Sequence, residues 1–392
     1  MLKTVFPLFL FLALVLGFHA AFQNKAIYKH TLGRVSDNIT FDGGKRSKSH
    51  RPFLALQDKH AVNWDAVKYN RIRKFGYDSE KLKPRDFAFF PAFPLVWRAS
   101  GLSPIGVMFL NYALFGLAMV WLLQLFAPQA EMRYKLILGL GLPSVVVFLM
   151  PYSEAVFFLF ITLAAWAFIR KKPLWLMVGL GLASMTRPAV LVLGLAILTT
   201  ELMRLWLEGK PRRTPVHLLL GLAPVALGMV GVALLQYEPG EPFFKFYHVQ
   251  STLWDNTSLR LPGKIRDWSE QGFAVHIGIL VMVTVPAILF FLQYSYQKLI
   301  VARGRTQVPP RLYLQLLSVI YLVGTVVYII FSKGGSLNGM FRYTLCSPFF
   351  YILLFSLRFD AVPFRRQAWL LGGLFVAGVV LQSVLPYARK WE

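Results

Sequence analysis

The sequence predicts an all-helical, polytopic membrane protein, and three observations carry that expectation. Hydrophobic residues make up 56% of the 392 and charged residues only 15%. Mean hydropathy is +0.53. Several apolar runs reach the roughly 17–25 residues that a helix needs to cross a bilayer. They are continuous rather than alternating, which argues against a transmembrane barrel. A set of soluble domains would account for the length but not for this composition.

The formal net charge is +24. Its basic residues are scattered between apolar runs, and no contiguous soluble basic module accompanies them. Anionic headgroups and lipid phosphates are therefore the better-placed partners, and nucleic acid is not expected. The single cysteine, Cys346, rules out an intrachain disulfide and a cysteine-based metal site. It lies in an apolar run, where a buried inert thiol is expected.

Residues 4–22 read as an uncleaved first span, although His19-Ala20-Ala21 would also suit a signal-peptide cleavage point. Either reading puts the segment from residue 23 on the non-cytoplasmic side. The stretch 23–62 is a basic insertion with a Lys45-Arg46-Ser47-Lys48 cluster, read as a solvated arm or a headgroup-binding one. Further spans are expected at 103–126, 136–150, 153–169, 173–186, 188–206, 216–236, 274–297, 312–331, 342–357 and 368–386, giving eleven with the first. Alternation then places Arg170-Lys171-Lys172, Lys298/Arg303/Arg305/Arg311 and Arg358/Arg365/Arg366 in the cytoplasm, in keeping with the positive-inside rule. The whole chain, 1–392, is one membrane-embedded domain with two large outer segments, 23–102 and 237–273. A third, shorter outer segment spans 332–343.

Residues 63–98 dominate the first outer segment. A helix over Trp64 to Phe75 would put Asp65, Tyr69, Ile72 and Gly76 on one face, with Lys68, Arg71 and Lys74 on a flank suited to snorkelling. From position alone, Asp65 can cap this interfacial helix or take a proton from a substrate hydroxyl. Glu80 and Asp86 are secondary acidic candidates, while Asp37, Asp42 and Asp58 read as solvated. Arg187 and Arg342 border outer surfaces beside apolar spans, so each either snorkels or holds a phosphate by bidentate hydrogen bonds. Glu154, at an outer helix start, can cap that helix or orient an arginine. His248, Gln250 and Trp254 belong to the second outer segment. No metal-ligand spacing, Walker loop or dinucleotide fingerprint occurs, so neither a metal nor a cofactor is expected. Gly139-Leu140-Gly141 and Gly179-Leu180-Gly181 read as close helix packing.

Several of these residues stand in an order that resembles a known family. Trp64-Asp65, Tyr69, Ile72 and Gly76-Tyr77, followed by Ala88-Phe89-Phe90-Pro91-Ala92-Phe93-Pro94, are similar to the signature of the second mannosyltransferase of GPI-anchor assembly and its bacterial homologues. Pro151-Tyr152-Ser153-Glu154, Ala183-Ser184-Met185-Thr186-Arg187-Pro188, Gln250 with Trp254, and Arg342-Tyr343 with Pro348 come next in matching order. The resemblance implies the C-type glycosyltransferase fold and an inverting hexosyl transfer, usually of mannose, from a polyprenyl-phosphate donor at the outer face. It further implies that Asp65 is the base on the acceptor hydroxyl and that Arg342, with Arg187, stabilises the departing lipid phosphate. Trp64, Tyr69, Glu80, Glu154, His248, Gln250, Trp254 and Tyr343 would line the substrates. The acceptor, whether glycan, lipid or protein, stays open, and the compact chain points to a bacterial inner membrane with the site in the periplasm, or to the endoplasmic reticulum in a eukaryote. A transporter or flippase of lipid-linked glycans is the alternative; it would place polar residues mid-span, where few are visible.

Overall fold

The computed structural model describes residues 2–22, 58–62, 64–78, 80–208, 214–253, 283–295, 308–332, 340–357, 372–373 and 376. Among these residues the protein is helical, with no strand. The first part of the chain supplies α1 (Leu2–Phe22), the short α2 (Asp58–Ala61), α3 (Asp65–Phe75), α4 (Ala92–Ser100), α5 (Pro104–Phe126) and α6 (Met132–Leu140). The middle supplies α7 (Glu154–Ile169), α8 (Pro173–Ser184), α9 (Val190–Glu208), α10 (Thr214–Leu235) and α11 (Lys245–Thr252). The last part supplies α12 (Val285–Ser295), α13 (Pro310–Ser332), α14 (Met340–Leu345) and α15 (Pro348–Ser356).

Helices α5, α9, α10 and α13 are long and apolar enough to cross a membrane. The apolar α7 and α8 are shorter, at 16 and 12 residues. Two expected spans are broken rather than continuous. The run 136–150 divides into α6 and a 3₁₀ stretch, Pro143–Leu149, and the run 342–357 divides into α14 and α15. The cause is the same in both. Leu142 and Ser347 precede prolines and are extended, with ψ of 136° each, because the proline ring disfavours a helical residue before it. Arg342 consequently sits on a short helix of its own instead of inside a span. The insertion residues 23–57, Trp254, residues 274–282 and 296–297 of the expected span 274–297, and nearly all of 368–386 lie outside the described residues.

The bundle packs α7 against α5 and α8, α8 against α10, and α9 against α13. Small residues permit the closest of these approaches. A Cβ on Gly179 would lie 2.9 Å from the backbone nitrogen of Ala164 and the carbonyl oxygen of Phe160, so α7 and α8 touch backbone to backbone. Near the N-terminal end of α7 the ring of Phe115 stacks on Phe148 with centroids 3.8 Å apart, and Phe158 meets both edge-on. Tyr351 adds an edge contact with Phe115 and Phe158. These four rings clamp α5, the 143–149 stretch, α7 and α15 together, each pair adding roughly 0.5–1.5 kcal/mol beyond its burial.

Outside this bundle, α3, α4, α11 and the 3₁₀ turn Pro84–Ala88 form a cap. Ala66, Tyr69 and Ile72 are the buried residues of α3; Tyr69 and Ile72 belong to the face the sequence predicts, while Asp65 and Gly76 of that face are only half-buried. Arg71 does not snorkel: it grips Asp86 with two hydrogen bonds of 2.7 and 2.6 Å, and Asp86 is fully buried. Asp86 also accepts from the backbone of Lys83. It is thereby committed to holding the 84–88 turn against α3, which removes it as a free acidic candidate. Gln236, at the end of α10, donates to the carbonyl of Phe87 at 3.0 Å and ties the cap to the bundle. Asp58 is exposed, as expected, but it also accepts from the backbone N–H of Ile105 at the start of α5.

Replacing Gly179 by leucine should force α7 and α8 apart and destabilise the protein by about 1–3 kcal/mol or more. Thermal unfolding of the detergent-solubilised variant checks this; an unchanged midpoint would contradict the close approach.

Candidate active site

Helix α3 begins on an unusual backbone. Trp64, the residue before it, has φ 46° and ψ −117°, a conformation that costs a non-glycine residue on the order of 1–3 kcal/mol. That turn delivers Asp65 to the first helical position. Its carboxylate is spent on side chains rather than on capping: Oδ2 accepts from Arg342 at 2.7 Å and Oδ1 from Lys68 at 3.3 Å. The side chain remains one-fifth exposed, so one edge is reachable. Burial opposes its charge, but Arg342 and then Lys68 outweigh burial and hold the carboxyl below its usual value.

Arg342 reaches past Asp65 to a second carboxylate. Its Nε donates to Oε1 of Glu154, and the Arg187 guanidinium lies 3.3 Å from the same oxygen. Glu154 has no exposed surface, and both arginines are buried. Glu154 therefore orients two arginines, and neither arginine snorkels. The guanidinium of Arg342 stacks 4.3 Å from the Tyr152 ring, and that of Arg187 lies 4.9 Å from the Tyr343 ring. The result is one cluster drawn from α3, the start of α7, the turn before α9 and α14. It holds two carboxylates, Asp65 and Glu154, against three cations, Lys68, Arg187 and Arg342. Oε2 of Glu154 and Nε of Arg187 are buried with no hydrogen-bond partner.

Hydrogen bonds from three directions fix this cluster. Tyr69 donates to Ser153 at 2.9 Å, joining α3 to the residue before Glu154. Burial, reinforced by Glu154 and Asp65, pushes the Tyr69 phenol up, so the hydroxyl keeps its proton and stays a donor. Asn111 on α5 donates to the carbonyls of Met150 and Tyr152 at 2.6 and 3.0 Å, pinning the turn that carries Glu154. The backbone of Ala92 donates to Met185 at 3.0 Å, anchoring the turn that carries Arg187 to α4.

The structure thus brings together Asp65, Tyr69, Glu154, Arg187, Arg342 and Tyr343, with the half-buried Trp64 beside them. Glu80 stays on an exposed turn, and His248 is exposed on α11 with Gln250 half-buried on the same helix. Trp254 lies outside the described residues. Sequence reasoning misses Asn111, Ser153 and Lys68 as supports of the site. An asparagine inside an otherwise apolar span is the available signal for the first, and the i,i+3 spacing of Asp65 and Lys68 for the last. Cys346 is buried, donating weakly to the Ser144 carbonyl, and burial of the thiol agrees with an inert role. Among the described residues no three His, Cys, Asp or Glu side chains gather as a metal-ligand set. The chain matches no known protein family, no curated protein and no solved structure.

Glu154→Gln should leave two buried arginines without their shared charge and cost about 3–5 kcal/mol, the penalty of breaking a buried pair from one side. Loss of monodisperse, folded protein on mild heating would register it; stability equal to the parent would contradict the pairing. The Asp65 pairs have a pH signature as well. Because the folded pKa lies below the unfolded one, their stability is fully present above the ordinary carboxylate value of about 3.9 and is lost as pH falls toward the folded pKa. The stability difference between the parent and Asp65→Asn should accordingly stay constant from about pH 8 to 5 and shrink only in stronger acid. A difference that grew on acidification would reverse the sign and refute the depressed carboxyl.

Proposed function

We propose that this protein is an inverting glycosyltransferase of the C-type architecture. It moves a hexose, with mannose the first sugar to test, from a polyprenyl phosphate to an acceptor on the non-cytoplasmic face. The proposal includes the eleven-span topology and a periplasmic or lumenal site. One observation carries it: a partly open carboxylate lies within the same ion-pair cluster as two buried arginines. Together with Lys68 the cations outnumber the acids, which suits a site that must hold an anionic phosphate.

In this reading the acceptor hydroxyl approaches the open edge of Asp65. The bond between the anomeric carbon and the phosphate oxygen breaks, its electron pair leaving with the polyprenyl phosphate. The acceptor oxygen attacks from the opposite face, forms the glycosidic bond, and gives its proton to the Asp65 carboxylate. A depressed pKa makes Asp65 a weak base that is always ionised near neutral pH. That is sufficient where the transition state is oxocarbenium-like and the acceptor proton becomes acidic late. Arg342 positions Asp65, since two of its nitrogens already serve the carboxylates. Arg187, whose buried Nε has no hydrogen-bond partner, is the better-placed group for the leaving phosphate. The membrane delivers the donor, so no nucleotide-sugar domain is required.

Asp65→Asn should lower transfer from radiolabelled polyprenyl-phosphate mannose into membrane acceptors by about 10²–10⁴-fold, the usual reach of a positioned base, at unchanged expression. Full transfer by this variant would remove Asp65 from its role.

A further inference from the structure

A cavity of about 550 Å³ lies in the other half of the bundle, among α7, α8, α9, α10, α13 and α15. That volume falls within the roughly 300–1,000 Å³ of small-molecule sites. Its walls are mostly apolar, with Ile161, Leu180, Leu193 and Leu317 among them. Along α7 its lining runs from Ile161 to Phe168, seven to fourteen residues from Glu154, or roughly 10–21 Å at 1.5 Å per residue, and Glu154 is not part of it. The cavity is therefore separate from the Asp65 cluster and lies toward the opposite surface of the membrane.

Its charged lining comprises Lys171, Lys172, Glu201, Arg204, Glu208 and His217. The two acids are already engaged. Arg204 pairs with Glu201 at 2.8 Å and contacts His217, and Glu208 accepts from the backbone of Val308 at 2.7 Å. Lys171 and Lys172 are exposed and have no acidic partner among the described residues. Trp175 and Trp206, both about half exposed at 50% and 54%, flank the same end on α8 and α9. Tryptophans of this kind mark the headgroup level of a bilayer.

The turn that presents the lysines is itself unusual. The N–H of Lys172 bonds to the carbonyl of Ala167 and that of Lys171 to Phe168, closing α7 with Lys171 at φ 54°. Glycine is the ordinary residue at this left-handed position, and a lysine there is strained. A charged side chain is held where the backbone alone would favour none.

We propose that this cavity binds one anionic phospholipid from the leaflet opposite the Asp65 cluster. One acyl chain enters the apolar interior and the headgroup phosphate rests on Lys171 and Lys172. The occupant is a lipid because the mouth lies at headgroup depth and the interior is apolar; it is anionic because the lining sets Lys171, Lys172 and Arg204 against two acids, Glu201 and Glu208, and neither lysine has an acidic partner among the described residues.

The test is native mass spectrometry of the full chain in detergent, after incubation with phosphatidylglycerol, phosphatidylcholine or inorganic phosphate. The parent should retain phosphatidylglycerol over phosphatidylcholine by roughly tenfold, and Lys171→Gly with Lys172→Gln should abolish that preference. Because glycine suits the left-handed turn, this variant should unfold no earlier than the parent, which separates a binding role from a structural one. A control with Lys74→Gln and Lys81→Gln, exposed near α3, should keep the preference. Equal retention of both lipids by the parent, an undiminished preference in the Lys171/Lys172 variant, or displacement of the lipid by inorganic phosphate alone would overturn the proposal.

Discussion

A carboxylate with no exposed surface survives as an anion only where cations meet it, and Glu154 is such a carboxylate. Arg342 and Arg187 meet it from two different parts of the chain, and Arg342 carries the linkage on to Asp65. Segments near residues 65, 154, 187 and 342 are tied in this way to one point. The supporting bonds make sense in that light. Asn111 fixes the turn before α7, Tyr69 reaches Ser153, and Ala92 holds Met185, so Asp65, Glu154 and Arg187 arrive on segments that are themselves anchored.

The same arrangement limits the chemistry. Two acids and three bases in one cluster leave an excess of positive charge beside a carboxylate with an open edge. Aromatic faces, Tyr152 under Arg342 and Tyr343 under Arg187, replace water as neighbours of the guanidinium groups.

Much of the local structure is legible from the chain itself. The spacing of Tyr69 and Ile72 marks the buried face of α3, and the long apolar runs mark α5, α9, α10 and α13. The candidate residues are legible one at a time, as charges at the ends of apolar runs. Their convergence is not, because ion pairs such as Asp65–Arg342, 277 residues apart, depend on how helices pack and leave no periodic trace. Hydropathy also misleads at 136–150 and 342–357. An apolar run reads as continuous even where Pro143 and Pro348 force an extended residue and stop the helix. Asp86 misleads for a related reason: its partner Arg71 is fifteen residues away on another element, so the pairing is invisible in the sequence.

The two ends of the bundle differ in kind. At one, ion pairs organise a polar cluster; at the other, helices part around an apolar cavity bordered by lysines and tryptophans. The link between Asp65 and Arg342 is the central one, because that bond connects the partly open carboxylate to the buried Glu154 cluster. A double-mutant cycle on thermal stability, using Asp65→Asn, Arg342→Gln and both together, measures it directly. Coupling of at least about 0.5 kcal/mol is expected for side chains in contact, whereas effects that add within roughly 0.3 kcal/mol would show that the two residues do not meet.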